Sequence, residues 1–154
     1  MKKHFIRTNN IIYTALTKKA LKLCFEAHKD QVDKTDMPYV FHPFHLAEQM
    51  TDETTTVCAL LHDVVEDTDY TLSDLTEMGF PKDVTDALAL LTHDPAVPYM
   101  DYVAEIAKNP VAKAVKTADL RHNSDLTRME PSQIDEWALK RNEKYKRALE
   151  FLAE

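Results

Sequence analysis

Residues 59–69 read ALLHDVVEDTD, and this stretch is the most informative in the chain. The leucine and valine residues of this stretch would cover most of the surface of the helix that it forms, which predicts a buried helix. Four polar residues interrupt the apolar surface, and their i,i+4 spacing places them on one sector of that helix: His62, Asp63, Glu66 and Asp67. Burying three carboxylates and an imidazole together is costly unless a cation supplies the missing positive charge. We therefore expect a metal site here rather than a solvated acidic stripe.

The rest of the chain predicts further helices and no strands. Apolar residues recur at helical spacing, and no segment alternates apolar and polar residues as a half-buried strand does. Thr71 with Asp74 resembles a capping box, and Gly79 suits the position after a helix end. Helices are predicted at about 11–28, from 42, from 52 or 53 to 67, from 71, at 81–92, 99–108, 110–123 and 132–151. The predicted fold class is all-α, a globular multi-helix domain.

Length and composition limit the functional classes. The 154 residues favour one domain, over residues 1–154, because most domains hold roughly 100–150 residues. A net charge of −7 argues against binding a nucleic acid polymer. No apolar run is long enough for a signal peptide or a membrane span. Cys24 and Cys58 lack metal-ligand spacing and read as small core residues, which suits a cytoplasmic protein.

A metal site at His62 and Asp63 needs ligands from other segments, and two residues stand out. His42 follows an aromatic run and precedes Pro43, and Asp119 lies within an apolar helical stretch. From the residues alone, neither is identified as a ligand. His42 could be structural, and Asp119 could be a buried cap or a salt-bridge partner of Arg121.

Three segments together resemble a known family. PYVFHP (38–43), ALLHDVVEDT (59–68) and VKTADLRHN (115–123) resemble the HD superfamily of metal-dependent phosphohydrolases. The resemblance is nearest to the hydrolase domain of RelA/SpoT proteins and to stand-alone small alarmone hydrolases, and it extends over about residues 20–151. These enzymes remove the 3′-pyrophosphate from (p)ppGpp in a manganese-dependent reaction. The resemblance therefore implies a (p)ppGpp 3′-pyrophosphohydrolase with a small nucleotide substrate.

The resemblance also implies roles for individual residues. The metal ligands would be two imidazoles and two carboxylates, a set that suits Mn²⁺ and also accepts other divalent transition metals: His42, His62, Asp63 and Asp119. Glu66 and Asp67 match a catalytic pair that activates water and moves protons, and which is the acid stays open. Four residues match positions that bind the nucleotide: Lys34, Asn123, Arg141 and Tyr145.

One departure from the family pattern concerns the substrate. Asp33 replaces a loop arginine that stacks on the base, and a carboxylate lacks that cationic face and would lie unfavourably near phosphates. A cluster of basic residues could neutralise a pyrophosphate or simply lie on the surface: Lys113, Lys116, Arg121, His122 and Arg128. The chain is too short for a synthetase domain, so pyrophosphate transfer from ATP is not expected.

Three functions are compatible with these residues. The first is alarmone pyrophosphohydrolysis, with Mn²⁺ as the cofactor. The second is an HD phosphohydrolase that acts on another nucleotide or phosphoester, which Asp33 favours. The third is a non-catalytic nucleotide-binding HD domain. Glu66 and Asp67 argue against the third, because a binding protein has no physical need for a costly acid pair.

Overall fold

The computed structural model describes residues 10–154, and these residues are helical and loop in structure. The α-helices are α1 Ala15–His28, α2 Phe41–Glu48, α3 Glu53–Leu61, α4 Val64–Asp67, α5 Leu72–Glu77, α6 Lys82–Leu91, α7 Tyr99–Ala107, α8 Pro110–Asn123 and α9 Glu136–Ala153. Short 3₁₀ helices occupy Leu126–Arg128 and Pro131–Gln133. Within the described residues the only extended pairing is an isolated bridge between Val32 and Pro38. The predicted all-α class is confirmed.

Two helix starts agree with the sequence, and a side chain caps the helix at both. Asp52 caps α3 by accepting a hydrogen bond from the Thr55 amide, and Thr71 and Asp74 form the expected capping box. The predicted start of α1 at residue 11 is wrong. Thr14 has extended backbone and caps a helix that begins only at Ala15.

Two further helix predictions are wrong. The helix expected to run unbroken to residue 67 ends at Leu61, and α4 begins after a turn at His62 and Asp63. The last helix begins at Glu136 and not at residue 132, because Asp135 has extended backbone and accepts a hydrogen bond from an amide of the first turn. Pro131, just before the predicted start, begins a 3₁₀ helix instead.

Helix α3 forms the centre of the fold. Residues 57–61 are almost fully buried, and α3 packs against α1, α2, α6 and α8. Cys24 and Cys58 lie in this core as free thiols, which confirms their reading as small core residues. Because α2 and α8 both contact α3, the two flanking helices bring their polar residues to its carboxyl end.

Two findings concern the expectations about targeting. In residues 10–154 no helix combines the length and the apolar character that crossing a bilayer requires. The expectation that the N-terminus is not a signal peptide falls mainly on residues 1–9, which lie outside the described residues.

Candidate active site

Four polar side chains converge where α2, α3 and α8 meet. His42 comes from the first turn of α2, His62 and Asp63 follow the end of α3, and Asp119 lies within α8. Asp119 Oδ1 lies 2.9 Å from His42 Nε2 and 3.5 Å from His62 Nε2, while Asp63 Oδ2 lies 3.0 Å from His62 Nε2. The structure therefore brings together all four residues that the sequence selected, and we refer to them as the HD cluster.

The environment of His62 fits a bound cation. The ring nitrogen Nδ1 lies 2.7 Å from the carbonyl oxygen of Ala59, so it carries the proton and donates it. The other nitrogen, Nε2, is buried and has no hydrogen-bond partner among the described residues. Its lone pair faces oxygens of Asp63 and Asp119, an arrangement of acceptors that a divalent cation satisfies. His42, His62 and Asp119 offer ligand atoms that all lie within 4.8 Å of one another.

The two carboxyl groups of the cluster have opposite electrostatic environments. Burial, together with the negative charges of Asp119 and Asp67, raises the pKa of Asp63 well above its usual value. Burial also opposes ionisation of Asp119, but the ammonium of Lys116, 2.9 Å from Oδ2, outweighs it. That ammonium and the hydrogen bond with His42 hold the pKa of Asp119 well below its usual value.

The proposed catalytic pair lies beside the cluster but is exposed. Asp63, Glu66 and Asp67 offer oxygens within 4.8 Å of one another. The expectation that all four polar residues of this stretch are buried holds only for His62. Asp63 is partly buried, and Glu66 and Asp67 are exposed because α4 is a separate helix that turns them toward the cleft. Glu66 Oε1 accepts a hydrogen bond from the His93 amide at 2.9 Å. The other Glu66 oxygen makes no hydrogen bond within the described part of the chain.

Support for the cluster comes from residues to which the sequence analysis gave no such role. The hydroxyl of Tyr39 donates a hydrogen bond to Asp63 Oδ2. His122 Nδ1 lies 2.7 Å from His42 Nδ1, and the two rings stack. Tyr39 and His122 both stand inside the family-like segments, and their three-residue spacing from His42 and Asp119 is the signal that could have identified them.

The basic residues suggested by the sequence divide into different environments. Burial and the positive charge of Arg128 lower the pKa of His122 to about 3, so this imidazole is neutral and cannot neutralise a phosphate. Lys113 and Arg121 line a different groove, of about 1070 Å³. Only Lys116 and Arg128 of this group line the cleft over the HD cluster.

That cleft has a volume of about 680 Å³ and an uneven charge distribution. Glu66 and Asp67 form an acidic wall, and cationic side chains stand elsewhere around the opening. All four residues matched to nucleotide binding line it: Lys34, Asn123, Arg141 and Tyr145. Burial and the like charges of Arg141 and Lys144 lower the pKa of Lys34, which shows that three cations share one region of the cleft.

Asp33 lines the cleft, but its carboxylate is held by hydrogen bonds and an ion pair within the protein. Oδ1 accepts hydrogen bonds from the Thr35 amide at 2.8 Å, the Thr35 hydroxyl at 2.6 Å and the Met37 amide at 3.1 Å. Oδ2 lies 3.2 Å from Nη2 of Arg128. The unfavourable charge expected near phosphates is therefore already paired.

Comparison with known proteins identifies relatives of two lengths. The guanosine-3′,5′-bis(diphosphate) 3′-pyrophosphohydrolase MESH1 of Xenopus tropicalis is 32% identical over 147 residues, which cover 85% of this chain and 79% of the relative. MESH1 of Mus musculus is 34% identical, with 70% and 69% covered. A probable GTP pyrophosphokinase of Mycobacterium leprae is 33% identical over 77% of this chain, but the match spans only 17% of that longer protein.

The structural comparison agrees with the sequence comparison. A solved structure of a metazoan ortholog of SpoT that hydrolyses ppGpp superposes with a TM-score of 0.70 and 25% identity. The match covers 91% of this chain and 86% of the solved one. No protein-family model matches the chain. The relatives that match along most of their own length, together with the shared helical fold, show that the chain belongs to the HD-type RelA/SpoT hydrolase family that includes MESH1.

Proposed function

We propose that this chain is a metal-dependent (p)ppGpp 3′-pyrophosphohydrolase, which cleaves the bond between the 3′ oxygen and the pyrophosphate. The observation that carries the proposal is the HD cluster beside an exposed Glu66–Asp67 pair, in one cleft with a group of cations. The MESH1 relatives named for this reaction support it. With ppGpp as the substrate, the products are GDP and pyrophosphate.

The metal in this proposal is Mn²⁺, held by the HD cluster. Mixed imidazole and carboxylate donors suit Mn²⁺ and also accept other divalent transition metals. When bound, such an ion acts as a Lewis acid that polarises phosphate oxygens and makes water more acidic. Asn123 donates a hydrogen bond to Asp119 Oδ1 at 2.9 Å, and His122 stacks on His42, so both would keep ligand side chains oriented.

Glu66 and Asp67 are the proposed proton-transfer residues. One carboxylate takes a proton from the attacking water, and the other protonates the leaving 3′ oxygen. The hydrogen bond from the His93 amide orients Glu66 while leaving one of its oxygens free. Exposure to the cleft suits this role, because both groups must reach water and substrate.

The remaining cleft residues would bind the nucleotide. Lys34 and Arg141, with Lys144 nearby, form a cationic region suited to phosphate groups. Asn123 and Tyr145 line the same cleft and offer polar contacts. We further propose that residues 1–154 form one HD-type domain that works in the cytoplasm on a small nucleotide, without a nucleic acid polymer or a membrane as partner.

The test is turnover of ppGpp by the purified chain with Mn²⁺, with products resolved by ion-exchange chromatography. The parent chain should release GDP and pyrophosphate, and Asp63→Ala and Glu66→Gln should each lose at least a hundredfold in rate. Asp69→Asn is the matched control, since Asp69 is exposed and does not line the cleft.

Absence of turnover in protein shown to hold Mn²⁺ would reject alarmone hydrolysis. The second candidate, an HD phosphohydrolase for another nucleotide or phosphoester, would then be tested on a substrate panel. Asp33 in place of the family arginine is the observation that favours this alternative.

A further inference from the structure

Arg128 reaches the catalytic cleft from the 3₁₀ helix after α8, and the protein holds it at two points. Nη1 donates a hydrogen bond to the carbonyl oxygen of His122 at 2.9 Å, and Nη2 lies 3.2 Å from Asp33 Oδ2. Its side chain is 24% exposed and lines the cleft. Hydrogen bonds at both terminal nitrogens orient the guanidinium plane, and because such bonds lie in that plane they do not occupy its flat faces.

Asp33 and Arg128 are joined over a sequence separation of 95 residues. One carboxylate oxygen of Asp33 accepts hydrogen bonds from Thr35 and Met37, and the other accepts one from Arg128. These bonds fix the Asp33 side chain in its loop. Its negative charge offsets the charge of the guanidinium. Arg128 therefore attracts phosphate less than an unpaired cation would, while its planar surface stays available for stacking.

The side chains around Arg128 differ from those around the other cations of the cleft. Val32 and Met129 line the cleft and lie next in sequence to Asp33 and Arg128. In residues 10–154 no aromatic ring stacks on Arg128, whereas Lys116 and Lys144 both lie over tyrosine rings. An ion-paired guanidinium in a cleft that Val32 and Met129 also line suits a flat aromatic ligand group rather than a phosphate.

We propose that Arg128 binds the base of the nucleotide by stacking, and that Asp33 is the positioning residue that orients it. The sequence places an aspartate where the family has a base-stacking arginine, and the structure pairs that aspartate with an arginine from a different segment. The cationic surface that stacks on the base would thus belong to Arg128 and not to the residue at position 33. This proposal rests on the proposed function for its choice of a nucleotide as the substrate.

The test separates the base from the phosphates. Binding of GDP and of inorganic pyrophosphate is measured by calorimetry in the presence of Mn²⁺. Arg128→Lys keeps the charge but loses the planar face, so GDP should bind about tenfold more weakly and pyrophosphate within about twofold of the parent. Asp33→Asn should weaken GDP binding severalfold in the same selective way. Arg121→Lys, in the other groove, is the matched control and should change neither value.

Three outcomes would overturn the proposal. Equal weakening of GDP and pyrophosphate would make Arg128 a phosphate contact, and unchanged GDP binding in Arg128→Lys would remove it from the base site. Failure of the parent to bind GDP would also refute the proposal. Calorimetry needs no turnover. If the chain does not hydrolyse ppGpp but Arg128→Lys selectively weakens GDP binding, only the proposed function is refuted.

Discussion

Lys116 carries the fixed positive charge of the HD cluster, and replacing it with methionine tests the electrostatics of the site. Its ammonium lies 2.9 Å from Asp119 Oδ2, with side chains only 14% and 7% exposed. Lys116→Met keeps an apolar chain of similar length but leaves a buried carboxylate without its cation. His42 and Asn123 remain as partners of that carboxylate.

The magnitude follows from this geometry. Breaking a buried ion pair on one side costs about 3–5 kcal/mol, and the two remaining partners favour the lower end. We expect Lys116→Met to lower the free energy of unfolding of the metal-free protein by about 3 kcal/mol. A bound divalent cation replaces the lost charge, so the loss should fall to about 1 kcal/mol. By linkage, the difference of about 2 kcal/mol means roughly thirtyfold tighter metal binding by the variant.

The assay is urea denaturation of both proteins in EDTA and in excess Mn²⁺, with metal affinity measured separately by calorimetry. Lys113→Met is the matched control, because Lys113 lies on the same helix but lines the other groove. It should shift both curves by similar small amounts. An equal loss for Lys116→Met with and without metal, or weaker metal binding, would refute the reasoning.

Three more predictions concern stability and reactivity. Asp36 has a positive φ of 64°, so Asp36→Val should lower the free energy of unfolding in urea by about 1–2 kcal/mol while Asp36→Gly should not. Burial raises the pKa of the Cys24 and Cys58 thiols to about 12, so Ellman's reagent at pH 8 should react far more slowly with folded than with unfolded protein; equal rates would contradict this. Burial opposes ionisation of Asp33, but its hydrogen bonds, led by that of the Thr35 hydroxyl, lower the pKa of Asp33 below its usual value. The ionised Asp33 therefore stabilises the fold above about pH 4, and this stabilisation is lost as the pH falls through the folded-state pKa. Urea denaturation should show Asp33→Asn about 1–2 kcal/mol less stable at pH 7, and the difference should shrink as the pH falls below about 4; a constant difference would contradict the assignment.

Side-chain caps made two helix starts predictable, whereas the starts that Thr14 and Asp135 cap were predicted too early. Thr71 and Asp52 cap helices as their sequence positions indicate. The break after Leu61 could not be predicted, because His62 and Asp63 continue the helical period. The His62 ring donates to the Ala59 carbonyl, the acceptor that the next backbone amide would use in a continuing helix. A side-chain hydrogen bond to the backbone therefore takes the place of the bond that would extend the helix.

Site residues could be selected from sequence only through the combination of segments. His42 and Asp119 are unremarkable alone, and their meeting with His62 depends on the packing of α2 and α8 against α3. The partner of Asp33 could not be predicted, because Arg128 lies far away in the chain on a short 3₁₀ helix without a periodic signal. Long-range ion pairs of this kind have no sequence signature in a single chain.

The turn between α3 and α4 divides the acidic stretch into two parts of unequal rigidity. The His62 side belongs to the buried centre, whereas Val64 is the only buried residue of the one-turn helix α4. Amide hydrogens of α4 should therefore exchange with solvent through small local openings, whereas those of α3 should exchange only on global unfolding. The side chains proposed to transfer protons can thus adjust to an arriving ligand without distorting the proposed metal ligands beside them.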